Sequence, residues 1–181
     1  LLRALLFHAD NVFDLLLPML QKGQERSLLK AAIYQKNLSA FLKILPLSSP
    51  KDHNTYLAFA CTHGYLETVK HFILTAEPDH PDCLALIKAV QQGNVEIVQY
   101  LLPYCDPKAN DSGALYWAAE KGHHQLVRLL LPLSDAKVLN SRCLRAASAR
   151  EKADLVTLLW DYSDPKDAFE KMKFDGADPS S

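Results

Sequence analysis

A short hydrophobic pattern recurs along the chain at a nearly constant interval. Each copy has a leucine followed three positions later by an alanine, and successive leucines are 28 or 29 residues apart. The leucines are Leu1, Leu29, Leu57, Leu86, Leu115 and Leu144, and the alanines are Ala4, Ala32, Ala60, Ala89, Ala118 and Ala147. Self-similarity at a fixed period is typical of repeat architectures. The pattern therefore predicts six units of one design.

Within each unit the pattern predicts two short α-helices. In the clearest copy, Leu115, Ala118 and Gly122 lie at i, i+3 and i+7, which is one face of a helix. A second apolar stripe follows directly, with Val127 and Leu130 at its centre. Helices of this length are marginal alone in water. We therefore expect each helix pair to bury its apolar face against the neighbouring pairs.

Glycine, proline and aspartate predict where the helices end. Gly64, Gly93 and Gly122 follow the first helix, at a position where a left-handed residue closes it and glycine avoids the Cβ penalty. The same position holds His8, Lys36 and Glu151 in the other units. A proline, which blocks further helix, follows the second helix at Pro18, Pro46, Pro103 and Pro132. Loops such as CDPK from Cys105 and SDAK from Ser134 predict turns or caps made by aspartate.

Composition and charge narrow the class of protein. The chain has 181 residues, is 49% hydrophobic and has a formal net charge of −1, so it lacks the basic excess of nucleic-acid-binding proteins. No apolar run reaches about 18 residues, so we expect no membrane insertion. The four cysteines never form C-x-x-C pairs, which favours a reducing, cytoplasmic location. We expect a monomer with weak end-to-end association, and interpret a chain that begins within a predicted helix as part of a longer protein.

Three segments resemble the helix-turn-helix of ankyrin repeats, whose pattern is L-H-x-A-A-x-x-G-H-x-x-V-V-x-x-L-L. They are LYWAAEKGHHQLVRLLL, FACTHGYLETVKHFIL and IKAVQQGNVEIVQYLL. The resemblance implies an all-α, ankyrin-like helical solenoid of about six helix-turn-helix repeats. Because an ankyrin repeat usually has about 33 residues, we expect abbreviated finger loops. The predicted units lie near residues 1–27, 28–55, 56–82, 83–111, 112–140 and 141–166, with a C-terminal cap or tail at 167–181.

The resemblance also implies a function. It indicates a non-catalytic module that binds a protein partner through its concave face and loop tips. The alternative is a targeting or regulatory ankyrin region of a larger enzyme, or of a secreted bacterial effector, whose catalytic domain lies outside this chain. The short units are similar to arrays in effectors of intracellular bacteria and in amoebal proteins.

The family pattern also indicates which side chains face a partner. In an ankyrin-like stack the two positions before the glycine position point into the concave face, and here Lys88 and Trp117 replace residues that are usually apolar. The predicted partner-binding residues are Tyr34, Gln35, Thr62, His63, Lys88, Gln91, Gln92, Trp117, Glu120, Lys121 and Arg150. Trp117 is the strongest candidate anchor because interface energy concentrates in Trp, Tyr and Arg. Packing within the stack is the alternative role for its indole.

Each candidate catalytic or metal site also has a structural explanation. His123 and His124 are adjacent and point in different directions on a helix, so we favour a structural role at the turn. Cys61 and His63 resemble a nucleophile and base, but Cys61 occupies a small-residue position facing the next unit, where a thiol is inert. The segment HPDC at residues 80–83 lacks a second pair of metal ligands. We predict no catalytic residue, bound metal or cofactor.

Overall fold

The structure, a computed structural model, describes residues 14–15, 17–21, 23–49, 52–73 and 84–166, except for the side chains of residues 138–140. The chain divides into two compact units, Leu1–Pro78 and Asp79–Ser181, here named the first array and the second array. Both consist of short helices joined by turns, and no strand occurs in the described ranges. The predicted all-α fold is confirmed.

Among its described residues, the first array contains two complete helix pairs. Its helices are α1 (Glu25–Tyr34), α2 (Leu38–Ile44), α3 (His53–His63) and α4 (Leu66–Ile73). The first helix of one pair, α1, packs beside the first helix of the next, α3, and each also packs on its own partner. The Tyr65 hydroxyl donates a hydrogen bond of 2.5 Å to the carbonyl of Lys36, which joins the turns of the two pairs.

Between residues 84 and 166, the described part of the second array, there are three helix pairs. Its helices are α5 (Leu84–Gln91), α6 (Val95–Leu101), α7 (Ala109–Lys121), α8 (His124–Leu130), α9 (Val138–Ala149) and α10 (Ala153–Trp160). The first helices α5, α7 and α9 lie side by side, with α7 in the middle. Side chains that project from these three helices at equivalent positions are therefore neighbours.

The recurring leucines and alanines form the core of both arrays. Every described leucine of the pattern is at most 3% exposed, and every described alanine is 0% exposed. The residues concerned are Leu29, Leu57, Leu86, Leu115, Leu144, Ala32, Ala60, Ala89, Ala118 and Ala147. The alanines have no side chain beyond Cβ, so neighbouring helices approach closely and exclude water. Leu1 and Ala4 lie outside the described residues.

The predicted left-handed helix ends are present. Gly64, Gly93 and Gly122 have φ of 71°, 75° and 77°, as expected for glycine that closes a helix. Lys36 and Glu151 occupy the same position with φ of 57° and 55°, although each carries a Cβ. A side chain in this conformation costs about 1–2 kcal/mol. These two turns are therefore strained relative to the glycine turns, and His8 lies outside the described residues.

Replacing Lys36 by glycine is expected to stabilise the first array by up to about 1 kcal/mol. The relieved left-handed penalty of about 1–2 kcal/mol exceeds the entropy cost of about 0.5–1 kcal/mol that glycine adds. The matched control is Lys30→Gly, because Lys30 is an exposed lysine inside α1, where glycine costs about 1 kcal/mol. Urea unfolding followed by circular dichroism measures both, and a similar loss of stability in the two variants would contradict the strain argument.

The prolines end the α-helices in a less abrupt way than the sequence predicts. The α-helix stops before each proline, but the chain then continues for one 3₁₀ turn that contains it. These turns are Leu17–Met19, Leu45–Leu47, Leu102–Tyr104 and Leu131–Leu133. Proline fits the start of a new turn because its missing N–H has no partner there. The prediction that proline blocks further α-helix is confirmed at Pro46, Pro103 and Pro132, whereas the 3₁₀ turns were not predicted.

The aspartates of the repeated loops make turns. The Asp106 carboxylate accepts a 2.9 Å hydrogen bond from the N–H of Lys108, and Asp135 accepts one of the same length from Lys137. The helices that follow have no side-chain hydrogen bond at their N-caps. Of the two predicted roles, the turn is therefore confirmed for these two residues. Both loops are short turns in place of hairpin fingers, as the abbreviated units predicted.

A left-handed turn inside α7 is a feature that the sequence analysis did not predict. Asn110, Asp111 and Ser112 have φ of 52°, 54° and 56°, so the right-handed part of the helix begins at Gly113. The hydroxyl of buried Ser112 accepts a 2.9 Å hydrogen bond from the N–H of Asp135. Ser141, one repeat later, also has a left-handed φ and accepts a hydrogen bond from the N–H of Asp164. A serine thus ties each of these two helix starts to the loop that ends the same repeat.

Candidate functional site

The first array brings two of its four predicted partner-binding residues into contact. Tyr34 at the end of α1 is 70% exposed, and its ring lies edge-on to the His63 ring with 5.7 Å between centroids. The His63 ring also lies against Phe59 at 4.1 Å, which holds it at the surface. Thr62 is half-buried and its hydroxyl donates to the carbonyl of Ala58, while Gln35 is half-buried. The exposed side chains at this end of the helices are therefore the aromatic pair of Tyr34 and His63.

The first repeat of the second array presents an amide surface. Lys88 is half-buried, and its Nζ donates a 3.2 Å hydrogen bond to Oε1 of Gln91. The lysine at a usually apolar position thus finds a polar partner at the end of its own helix, as its long side chain permits. Gln92 is exposed beside them.

Trp117 is both packed and partly accessible. Its ring lies edge-on to Tyr116 with 5.3 Å between centroids, and Nζ of Lys121 lies 6.0 Å from the indole centroid. The residue is half-buried, so part of it is accessible to solvent. An aromatic residue that is partly fixed by packing and partly accessible is suited to act as an anchor, because little side-chain freedom remains to be lost on binding.

Glu120 and Arg150 form an ion pair between neighbouring repeats. Arg150 follows α9, and its Nε donates a 3.1 Å hydrogen bond to Oε1 of Glu120 on α7, with a second bond from Nη2. Glu120 is largely shielded from solvent whereas Arg150 is exposed. The pair neutralises the one predicted carboxylate of this surface and leaves the arginine on the outside.

Arg142 and Tyr116 form a contact that the sequence analysis missed. The guanidinium carbon of Arg142 on α9 lies 3.7 Å from the centroid of the Tyr116 ring on α7. Stacking of arginine on an aromatic face is favourable and leaves the N–H groups at the edge of the guanidinium accessible. The available signal was weak, because Arg142 and Arg145 merely share a helix face at i and i+3.

The paired histidines do not meet as metal ligands would. Nε2 of His123 lies 3.3 Å from the carbonyl oxygen of Gln91 in the preceding repeat. Its ring also packs so closely on Gly93 that a Cβ there would lie 2.9 Å from it. His124, by contrast, is exposed. His123 therefore joins two successive turns, as the structural interpretation predicted.

Cys61 is placed for packing. Its side chain is 0% exposed, and burial raises the pKa of its thiol to about 12. Nδ1 of the nearby residue His63 lies 2.8 Å from the carbonyl oxygen of Phe59, so this ring nitrogen is engaged by the backbone. Burial likewise raises the pKa of Cys143 to about 12. A protonated, buried thiol is a poor nucleophile.

Iodoacetamide is expected to leave Cys61 unmodified in native protein at a pH of about 8. A pKa of about 12, compared with 9.0 for an ordinary cysteine, leaves about a thousandfold less thiolate. The pKa falls back on unfolding, so urea should make the residue reactive. Mass spectrometry of the labelled peptides measures both states, with Cys143 as the internal comparison. Rapid labelling of Cys61 in the folded chain would support the catalytic hypothesis instead.

Metal-binding geometry was also a candidate. Within the ranges that the structure describes, no three His, Cys, Asp or Glu side chains are close enough to hold a metal ion. The HPDC segment at residues 80–83 and the predicted cap or tail at 167–181 lie outside those ranges.

Comparison with protein families agrees with this architecture. The family model described as ankyrin repeats (3 copies) matches residues 1–111, 57–142 and 86–172. The chain belongs to the ankyrin repeat family. No curated protein matches it.

Ankyrin repeats are generally protein–protein interaction modules and are typically non-catalytic. Membership in the family therefore identifies the chain as an ankyrin repeat module. None of the helices in the described part has the length and apolar character needed to cross a membrane.

Proposed function

We propose that this ankyrin repeat chain is a non-catalytic module that binds a protein partner through the exposed ends of its first helices and through its loop tips. The observation that supports this most is the contrast between the buried face of the first helices and their C-terminal ends. The described leucines and alanines of the repeat pattern are buried, whereas aromatic, amide and charged side chains recur at the helix ends.

The buried core makes these helix ends a rigid binding surface. Within each array the neighbouring first helices pack on one another, and successive turns are joined by Tyr65 in the first array and by His123 in the second. A surface whose backbone is already ordered loses little conformational entropy when a partner binds. The accessible side chains then contribute most of their contact energy to affinity.

The chemistry of the surface favours a protein as its partner. Tyr34 and Trp117 are residues in which interface energy usually concentrates, and they lie among amides and charges of both signs. Protein interfaces combine such aromatic anchors with a polar rim. A nucleic acid would instead favour a continuous basic surface.

Affinity capture with paired variants tests the proposal. The test variant carries Trp117→Ala and Lys88→Ala. The control carries Trp160→Ala and Lys70→Ala, which removes the same residue types from the second helices α10 and α4, where both side chains are more than 40% exposed. The wild type and the control are expected to retain the same proteins from a lysate, whereas the test variant loses them.

A second variant is needed because Trp117 is partly packed, so its replacement could reduce binding by destabilising the fold. Tyr34→Ala removes a side chain that is 70% exposed, so its unfolding midpoint should stay near that of the wild type. Equal capture by the wild type, the test variant and Tyr34→Ala would refute the proposed surface.

Several finer predictions stay open to separate tests. They are the monomeric state, the cytoplasmic location, the repeat boundaries and the hypothesis of a regulatory region within a larger enzyme or bacterial effector. Sequencing the gene on both sides of this chain addresses the last of these directly, because a catalytic domain would be recognisable by its own motifs.

A further inference from the structure

A small pocket lies between two neighbouring first helices of the second array. Its volume is about 240 Å³, and it is lined by Tyr116, Glu120, Arg142, Arg145, Ala146 and Ala149. The first two residues project from α7 and the other four from α9. Because Ala146 and Ala149 are small and lie at i and i+3, they leave a depression between the longer side chains around them.

Two arginines line this pocket, and neither forms an ion pair with a carboxylate among the described residues. Arg142 lies flat on Tyr116, and a stacked guanidinium keeps its N–H edge available for hydrogen bonds. Arg145 is half-buried and takes part in none of the ion pairs among the described residues. Glu120, the one acidic residue in the lining, is already paired with Arg150.

We propose that this pocket binds the side-chain carboxylate of an Asp or Glu in an acidic segment of a protein partner. The proposal rests on the protein-binding function proposed above and specifies the chemistry of the partner. Arginine matches a carboxylate with two parallel N–H···O bonds, and such charge-assisted bonds are stronger than neutral ones. Both arginines are half-buried, so their charge is less screened than that of a fully exposed side chain.

The apolar part of the lining favours an amino-acid side chain as the source of the carboxylate. The walls formed by Tyr116 and the two alanines add apolar contact for the methylene groups of a Glu side chain.

Fluorescence anisotropy with a labelled hexaglutamate peptide tests the proposal on the full chain. Wild-type protein is expected to bind hexaglutamate and not hexaglutamine. Arg145→Gln should weaken hexaglutamate binding about tenfold, the size expected for the loss of a charge-assisted pair. The matched control is Arg128→Gln on α8, which removes an exposed arginine outside the pocket and should leave the affinity unchanged. Circular dichroism checks that both variants fold.

Two further probes compare the carboxylate with other anions. A phosphoserine peptide of the same length and a single-stranded oligothymidylate are titrated under the same salt conditions, and both should bind more weakly than hexaglutamate. Tighter binding of either probe would overturn the assignment to an acidic peptide. Equal affinity of the wild type and Arg145→Gln for hexaglutamate would overturn the assignment of this pocket as the binding site.

Repeating the affinity capture with Arg142→Gln and Arg145→Gln separates this proposal from the proposed function. Loss of the captured proteins in this variant supports both. If it captures them as wild type does while the variant of Trp117 and Lys88 does not, the arginine pocket is refuted and the protein-binding surface stands. If both variants capture as wild type does, both proposals fail.

Discussion

Replacing Phe72 by alanine is expected to destabilise the first array by about 3–5 kcal/mol, the range for truncating a large buried aromatic residue. Phe72 on α4 is 0% exposed and lies at the centre of an aromatic cluster. Its ring centroid is 5.0 Å from that of Phe41, 5.8 Å from that of His53 and 6.2 Å from that of Tyr56. The substitution removes three ring contacts and leaves a cavity that its rigid neighbours fill poorly.

Urea unfolding followed by circular dichroism measures this loss for the first array. The matched control is Leu42→Ala on α2, where a side chain that is 40% exposed should change stability by less than about 0.5 kcal/mol. The contrast between the two substitutions is the informative quantity, since both shorten an apolar side chain. A Phe72→Ala variant as stable as Leu42→Ala would show that the aromatic cluster does not hold the array together.

The sequence predicted the core because the repeat imposes the same demand on each copy. A leucine or alanine of the pattern has to pack both within its own helix pair and against the next pair. Its size and apolar character are therefore constrained, whatever the conformation of the loops. The glycine positions are predictable for a similar reason, since the chain must turn there in a left-handed conformation. Lys36 and Glu151 adopt the same left-handed conformation although neither is glycine, so the turn is required by the fold and not by the residue type.

The left-handed turn at Asn110 to Ser112 was not predictable from its own residues. Asn, Asp and Ser favour many kinds of turn, and the hydrogen bond that holds Ser112 comes from Asp135, 23 residues later. The conformation depends on where the following loop returns. The serine at the same position one repeat later, Ser141, was the visible signal, but its meaning depends on a contact between distant parts of the repeat.

The candidate surface was predictable as a set of positions and not as a set of contacts. The family pattern placed Trp117, Glu120 and Arg150 near helix ends, where the structure also has them. It did not reveal that Arg142 stacks on Tyr116, because that contact depends on the separation of α7 and α9. The small residues packed between two helices set such a separation, and a single sequence does not specify it.

Replacing Leu115 by alanine is expected to destabilise the second array by about 2–5 kcal/mol. Leu115 is 0% exposed on α7, the first helix that lies between α5 and α9. A cavity at this position weakens contacts on both sides, whereas one at an end repeat affects a single interface. Tryptophan fluorescence in urea is a direct readout, since the two tryptophans of the chain, Trp117 and Trp160, both lie in the second array.

Leu133→Ala is the control that separates burial from simple loss of apolar volume. Leu133 lies in the 3₁₀ turn after α8 and is 42% exposed, so its truncation should cost less than about 0.5 kcal/mol. The same atoms are removed at both positions, and only the surroundings differ. If stability depends on the packing of each repeat on the next, Leu115→Ala must be much less stable than Leu133→Ala. Equal unfolding midpoints for the two variants would mean that the periodic leucines do not form a continuous core. The proposed binding surface depends on that core.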